Sequence, residues 1–152
     1  MPLVQYPDEL LKKKSMHLQK EDVEEFLPTF KKCVEMYKSK ALGLACVQTG
    51  MPVSIIWIRD FGYMINPKII EQSKEKTGSA ESCLSVPDQV YGVERFKSVT
   101  VLYRDEKYHI CRQKFSDQFA IVVQHEIDHT LGICLPQSGQ KIDAIIKENL
   151  NE

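Results

Sequence analysis

Residues 119–131 read FAIVVQHEIDHTL, so apolar side chains flank a short group of histidine and acidic residues. The apolar residues recur on most faces of a helix, which predicts a helix that is buried in the core. Ser116 or Asp117 can cap the start of this helix, and Gly132 is a typical C-terminal stop. Polar side chains inside a buried helix need partners, so the polar group at its centre is a candidate site.

This polar group, residues 124–129 (QHEIDH), has the spacing of a metal-binding helix. His125 and His129 are four residues apart, so both imidazoles can lie on one face of the helix and bind one cation. Glu126 lies beside them and can reach a water molecule on that cation. The H-E-x-x-H pattern is typical of metal-assisted hydrolysis, in which the cation lowers the pKa of water and a carboxylate transfers its proton.

A catalytic metal site generally uses three protein ligands, and the sequence leaves three sources open for the third. The metzincin pattern requires a histidine at position 135, where Leu135 cannot bind a metal. Glu148 lies downstream at a distance that suits a gluzincin-type peptidase, although its polar neighbours favour a solvated side chain. A cysteine thiolate brought in from a strand is the third source, and Cys83 is the best candidate because of the residues around it, which are described below.

The remaining chain predicts many strands framed by helices. Apolar residues recur at helical spacing over residues 22–39, where Pro28 should bend the helix or mark its first turn. Extended segments are predicted at 52–58, 61–70, 97–103 and 108–115. A short closing helix is predicted from the apolar residues Ile142, Ile145, Ile146 and Leu150. This order favours an α+β fold, with mixed or antiparallel sheets packed around the central buried helix that carries H-E-x-x-H.

Length, charge and cysteine usage argue against several classes of protein. The 152 residues fit a single catalytic domain over 1–152. With 20 basic and 21 acidic residues, the chain lacks the basic surplus that is typical of nucleic-acid binders. No apolar run could span a bilayer and no signal peptide is evident, so we expect a cytoplasmic protein with no membrane partner. Its five cysteines should therefore be reduced, and four of them should be small buried residues.

Three segments, taken together, resemble the peptide deformylase family. Residues 43–48 (GLACVQ) are similar to the family's G-x-G-L-A-A-x-Q, and residues 81–85 (ESCLS) are similar to its E-G-C-L-S. Residues 125–129 (HEIDH) match its H-E-x-D-H fully. The resemblance covers nearly the whole chain, and the short tail after Gly132 resembles the compact members from bacteriophages.

Three positions in or next to these segments depart from the family pattern. Ala41 and Ser82 stand where the family has glycine, and Cys46 stands where it has alanine. Because glycine permits close approach of the backbone to a ligand, the departures at Ala41 and Ser82 bear on the shape of the substrate cleft. They leave open a deformylase-like enzyme that acts on another acyl group.

The resemblance implies removal of the formyl group from the N-terminal formylmethionine of nascent polypeptides, with release of formate. Cys83, His125 and His129 would then hold a divalent metal. Iron(II) is the expected ion, with zinc, nickel or cobalt as substitutes. Glu126 would take a proton from water and return it to the leaving amine.

The substrate side of the expected site involves residues from three segments. The side-chain amide of Gln48 and the backbone N–H of Leu84 would stabilise the oxyanion. Gly43 can offer backbone hydrogen bonds to an extended peptide, in the manner of strand addition. An apolar slot for the methionine side chain is predicted from Leu42, Ile121 and Val122.

Behind the metal, Arg95 is expected to pair with Glu81 or Asp128. These carboxylates are candidates to orient the histidines, because ligating histidines usually donate their second N–H to a carboxylate or carbonyl. The expected partners are formylmethionyl peptides and nascent chains, with a transient ribosome contact, and the protein is expected to be a monomer. A gluzincin-type metallopeptidase and a non-catalytic metal-binding or partner-binding module remain as alternatives.

Overall fold

The computed structural model of the protein describes residues 2–141. Its helices are α1 (Lys20–Tyr37), α2 (Asp117–Thr130) and α3 (Leu135–Ser138), with short 3-10 helices at Glu9–Lys12 and Cys46–Thr49. Pro28 lies in the interior of α1 and does not mark its first turn. The predicted closing helix at Ile142, Ile145, Ile146 and Leu150 and the alternative ligand Glu148 lie outside the described residues. Within the described range, no helix has the length and apolar character that a membrane crossing requires.

Eight strands form two sheets in the described part of the chain. They are β1 (Gly43–Ala45), β2 (Ile55–Ile58), β3 (Gly62–Gln72), β4 (Lys76–Cys83), β5 (Val86–Phe96), β6 (Ser98–Arg104), β7 (Ile110–Ser116) and β8 (Gln140–Lys141). The larger sheet has the strand order β1-β2-β3-β6-β7, and the smaller sheet has the order β4-β5-β8. Every pairing between these strands is antiparallel, which confirms the predicted α+β class with antiparallel sheets.

The five-stranded sheet carries one long helix on each face. Ile56 of β2 belongs to the same apolar cluster as Val123 and Ile127 of α2. Its neighbour Ile55 belongs to a second cluster that includes Phe30 of α1. Successive side chains of a strand point to opposite faces, so α2 lies against one face of the sheet and α1 against the other.

Helix α2 is buried in its middle and exposed at its ends. Ser116 is its N-cap residue, and Gly132 follows it in the left-handed conformation, as the sequence predicts. Val123 and Ile127 are buried, which agrees with the predicted core position. Phe119 and Leu131 are 42% and 49% exposed, because the two ends of the helix reach the protein surface.

The hairpin of β4 and β5 is not evident in the sequence. Strand β4 reads KTGSAESC, and most of its residues are exposed or half-buried. It therefore lacks the apolar alternation by which a strand is recognised. Pairing with β5 places Glu81 opposite Tyr91 and Cys83 opposite Val86, so Cys83 lies at the tight end of the hairpin.

Gly132 allows the end of α2 to lie against the N-terminal segment. A Cβ at this position would lie 2.5 Å from the carbonyl oxygen of Lys12, at a φ of +80° that disfavours L side chains. Gly132→Ala should lower the free energy of unfolding by roughly 2–5 kcal/mol in urea denaturation, because steric overlap adds to backbone strain. Gly50→Ala is the matched control, since Gly50 has a φ of +96° but nothing within 4 Å of an added Cβ. It should lose roughly 1–2 kcal/mol from strain alone. Equal losses in both variants would contradict a role for the Lys12 contact.

Candidate metal centre

Cys83, His125 and His129 meet at one point in the fold. Cys83 is the last residue of β4, and the two histidines lie one turn apart on α2. Their ligand atoms all lie within 4.8 Å of one another, and Cys83 Sγ is 3.4 Å from His129 Nε2. The structure therefore brings the three predicted ligands together, while their binding of a metal stays a prediction.

The donor atoms of this cluster suit a divalent transition metal. Burial by itself raises the pKa of Cys83, but the positive charges of His129 and His125 and their hydrogen bonds hold it well below its usual range. Cys83 is therefore poised to be a thiolate. A thiolate with two imidazoles is a ligand set that both iron(II) and zinc accept, so the residues present fit such an ion.

Glu126 lies beside the cluster and is almost fully buried. Its Oε1 atom has no hydrogen-bond partner among the described residues. Burial raises the pKa of this carboxyl to about 7, so it can gain and lose a proton near neutral pH. A buried carboxylate oxygen without a protein partner also fits a site that holds a cation and its water, since buried polar atoms require partners.

Gly43 gives the Glu126 side chain room against β1. A Cβ at position 43 would lie 2.8 Å from Glu126 Oε2 and 3.0 Å from the carbonyl oxygen of Trp57. Real Cβ atoms essentially never approach another atom at 2.8 Å, so a larger residue would displace the carboxylate. The need for room beside Glu126 therefore explains a glycine at position 43, in addition to the proposed contact of Gly43 with a peptide.

Gln48 is a buried residue of the 3-10 helix and is directed at Cys83. Its Oε1 accepts a hydrogen bond from Ala45 N at 2.9 Å, which turns the amide nitrogen in the opposite direction. Gln48 Nε2 donates to Ser85 Oγ at 3.0 Å and lies 3.5 Å from Cys83 Sγ. Leu84, the other predicted oxyanion donor, follows Cys83 directly and lines the same cleft. Both residues are placed at the site, and donation to an oxyanion stays a prediction.

Arg95 forms the pairs that the sequence suggested. Arg95 Nε and Nη2 donate to the two carboxylate oxygens of Glu81 at 2.9 and 2.8 Å, and Nη1 donates to Asp128 Oδ2 at 2.6 Å. Glu81 Oε1 also lies 2.9 Å from His125 Nδ1. Burial opposes ionisation of Glu81, but hydrogen bonds from Arg95 and His125 outweigh it and lower the pKa to about 2. Glu81 therefore stays a carboxylate that orients His125.

Cys134 and Ser85 make contacts at the site that the sequence did not predict. Cys134 is buried as predicted, but its Sγ lies 3.8 Å from His129 Nδ1 and 4.0 Å from the carbonyl oxygen of Leu11. The thiol can therefore accept from the imidazole and donate to the carbonyl. Ser85, fully buried, holds the Gln48 amide. Ser85 lies in a recognised segment, whereas no sequence spacing marks Cys134.

A cleft of about 420 Å³ opens beside the cluster. Cys83, His125 and Glu126 line this cleft. The four predicted substrate residues also line it; they are Leu42, Gly43, Ile121 and Val122. Ala41 and Ser82, the two positions without the family's glycine, line it as well. The structure therefore gathers the predicted substrate residues around one space, and their contacts with a substrate stay predictions.

The Arg95 pairs can be tested against an exposed pair of the same type. Arg95→Ala should lower the free energy of unfolding by roughly 3–5 kcal/mol, because it leaves the Glu81 carboxylate buried without its partner. It should also reduce the bound metal per chain, measured by elemental analysis. Arg112→Ala is the control, since Arg112 pairs with Glu71 where both side chains are more than half exposed. That variant should lose at most about 1 kcal/mol. Unchanged stability and metal content in Arg95→Ala would contradict the role of the pairs.

Comparison with known proteins shows a family relationship over nearly the whole chain. The sequence model of the polypeptide deformylase family matches residues 1–143. A peptide deformylase from Finegoldia magna is 42% identical and the match covers 95% of this chain and 92% of the relative. A Plasmodium falciparum peptide deformylase, solved in complex with an inhibitor, is similar with a TM-score of 0.83 and 28% identity, covering 98% of this chain and 96% of that chain. A probable peptide deformylase from synechococcus phage S-SSM7 is similar with a TM-score of 0.80 and 33% identity, covering 91% and 99%. The chain belongs to the polypeptide deformylase family.

Proposed function

We infer that the protein hydrolyses the formyl amide of N-terminal formylmethionine in nascent polypeptides and releases formate. As a peptide deformylase it is a metal-dependent hydrolase. The observation that carries the assignment of roles is the meeting of Cys83, His125, His129 and Glu126 beside one cleft. The described residues offer a candidate set of three ligands without Glu148, which supports this function over a gluzincin-type peptidase.

We propose iron(II) as the native ion, held by Cys83, His125 and His129, with zinc, nickel or cobalt as substitutes. The thiolate and imidazole donors support this choice, since these ions accept such ligands. When bound, the cation would act as a Lewis acid towards water and the formyl oxygen.

The proton transfers are proposed for Glu126. Its carboxyl, with a pKa of about 7, accepts a proton from water at Oε1 or Oε2 and later returns it to the leaving amine. Burial keeps bulk water from competing for this proton. The Gln48 amide and the Leu84 N–H are proposed to donate to the oxyanion, and one such donor typically contributes about 2.7–4 kcal/mol to the transition state.

The substrate is proposed to enter as an extended strand along β1. Strand β1 is an edge strand of the larger sheet, so its outer side is suited to pair with a peptide. Gly43 would supply the backbone hydrogen bonds. The methionine side chain would occupy the apolar slot formed by Leu42, Ile121 and Val122. Leu42 is half-exposed and would form the rim of this slot.

The wider sequence predictions are retained as proposals. We propose a single catalytic domain over 1–152, which the family match to residues 1–143 supports. We propose α2 as its central helix, because α2 packs on the larger sheet and its Gln124 side chain bonds to the backbone of Phe96 in the smaller one. A cytoplasmic location, a monomeric state and a transient ribosome contact complete the proposal.

Formate release from a formyl-Met tripeptide, assayed without oxygen, tests the assigned roles. Glu126→Gln should keep its metal but lose roughly 100- to 10,000-fold in kcat, because the proton-transfer group is gone. Cys83→Ser should lose metal in elemental analysis. Glu94→Gln, an exposed change on β5, is the matched control and should behave as wild type.

Two results would contradict the assignment. Full activity in metal-loaded Glu126→Gln would exclude Glu126 as the proton-transfer group. Metal loss in Glu148→Gln, with metal retained in Cys83→Ser, would assign the third ligand to Glu148. If metal-loaded wild type released no formate, the protein would act on another acyl group or would only bind a metal or a partner. The departures at Ala41 and Ser82, which line the cleft, would be the first candidates for the cause.

Gly43→Ala tests whether the room beside Glu126 matters for catalysis. The added methyl group would displace the carboxylate, so kcat should fall by about 10- to 100-fold, as misplacement by about 1 Å does in other enzymes. Metal content should be unchanged, because position 43 is not in the cluster. Gly78→Ala, at a site with nothing within 4 Å of an added Cβ, is the control. An unaltered kcat would show that Glu126 tolerates the displacement.

A further inference from the structure

A second cavity, of about 480 Å³, lies away from the metal centre. It is lined by Lys14, Ser15 and His17 and by residues from the middle of β3, the end of β6, the start of β7 and the end of α2. None of its lining residues also lines the cleft at the metal centre. Its volume is in the range of pockets that bind small organic molecules.

The charged residues of this cavity are all basic. Lys14, Lys68 and Arg104 line it, and no aspartate or glutamate is among its described lining residues. Lys14 and Lys68 form no ion pair within the described part of the chain. The protein as a whole has a net charge of −1, so this cavity departs from the average surface. A basic cavity without counter-charges is complementary to an anion.

Apolar side chains are concentrated at the same cavity. Leu102, Ile110 and Leu131 line it and are 38%, 65% and 49% exposed, which makes them three of the nine large apolar residues exposed in the described range. Single exposed apolar residues are ordinary, but a group of them around one concave space indicates a binding surface. The cavity thus offers cationic and apolar surface together.

The walls of the cavity are held in place without a ligand. The pairing of β3 with β6 shifts register between Ile65 and Lys68, and Asn66 within this irregularity has a φ of +52°. The Asn66 side chain accepts from Leu18 N and donates to Leu18 O, both at 2.8 Å, and so ties the N-terminal segment to the sheet. Tyr108 donates to the same carbonyl at 2.7 Å. A β-bulge of this kind commonly reshapes a sheet next to a functional site.

Two further features of the cavity favour a ligand with a polar group. Arg104 Nη1 donates to Tyr108 O at 3.1 Å, and its guanidinium lies over the Tyr108 ring at 4.6 Å, so its charge is fixed in place. Ser15 lines the cavity, is 7% exposed, and its hydroxyl has no hydrogen-bond partner among the described residues. A buried hydroxyl without a partner is unfavourable unless a ligand or water supplies one.

We propose that this cavity is a second binding site, for small amphipathic anions that carry a carboxylate or phosphate group on an apolar chain or ring. The anionic group lies among Lys14, Lys68 and Arg104, and the apolar part contacts Leu102, Ile110 and Leu131. The ligand is a soluble molecule, because the cavity has the volume for one small molecule and the chain carries no basic surplus for a lipid surface.

The test is an NMR titration of the zinc-loaded, ¹⁵N-labelled 152-residue protein, in which the amide chemical shifts are monitored as the probe is added. Hexyl phosphate and hexanoate are the probes, with inorganic phosphate as the anion that lacks an apolar part and 1-hexanol as the apolar part that lacks charge. We expect saturable shifts at His17, Tyr108 and Ile110 with the first two, and much weaker binding of the last two. Binding to vesicles of phosphatidylglycerol and phosphatidylcholine is measured separately, to test whether the anion recognised is a lipid headgroup.

Paired lysine variants provide the matched comparison. Lys14→Gln with Lys68→Gln should weaken hexyl phosphate binding by about fivefold or more, because two ligand-facing charges are removed. Lys32→Gln with Lys114→Gln removes the same charge from exposed positions elsewhere and should bind as wild type. Both variants should retain wild-type melting temperature and formate release.

Several results would overturn the proposal. They are an absence of saturable shifts at the cavity, equal binding of 1-hexanol and hexyl phosphate, and unchanged binding in the Lys14 and Lys68 variant. Binding to anionic vesicles without binding to the monomeric anions would assign the basic residues to a membrane surface instead.

Discussion

The Arg95 guanidinium is the group on which the geometry of the metal centre depends. It lies in β5 and binds a carboxylate from β4 and another from α2, so it joins three elements that are distant in sequence. Glu81 extends this network to His125. A buried charge is tolerated only where it is paired and hydrogen-bonded, and here every member of the group meets that condition. The same contacts that satisfy Arg95 therefore set the distance between β4, which carries Cys83, and the helix that carries the two histidines.

Helix α2 contributes apolar side chains to the core, and several of its polar side chains are bound by groups outside the helix. Gln124 bonds to the backbone of Phe96, and Asp128 bonds to Arg95. His129 contacts the Cys134 thiol. These contacts come from different directions, so they fix the rotation of the helix about its axis as well as its position. Such networks rigidify a site when all members are satisfied. Glu126 differs from these residues, because its Oε1 has no partner among the described residues and lies where the proposed chemistry requires a reactive carboxylate.

The two cavities are lined by different parts of the same helix. The middle of α2 supplies His125 and Glu126 to the metal-centre cleft, and its last residue Thr130 and the following Leu131 line the basic cavity. The first is organised around buried, paired charges of both signs. The second has exposed lysines, an anchored arginine and apolar side chains without counter-charges. The first is suited to a cation because its thiolate and imidazoles are metal ligands, and the second is complementary to an anion because its charged lining residues are all basic.

The sequence alone determined the local features, because spacing along a helix or strand fixes which side chains share a face. It placed the two histidines and Glu126 on a buried helix and located most of the strands of the larger sheet. It offered Glu81 or Asp128 as a partner of Arg95, and the structure shows that Arg95 binds both. Spacing could not select Cys83 over Glu148, and the resemblance of three segments was needed for that choice. The tertiary structure decided the hairpin that delivers Cys83, the orientation of Gln48, the contact of Cys134 with His129 and the whole of the basic cavity. Each of these depends on pairings between residues far apart in sequence, and such pairings follow from packing and strand register, which no local periodicity encodes.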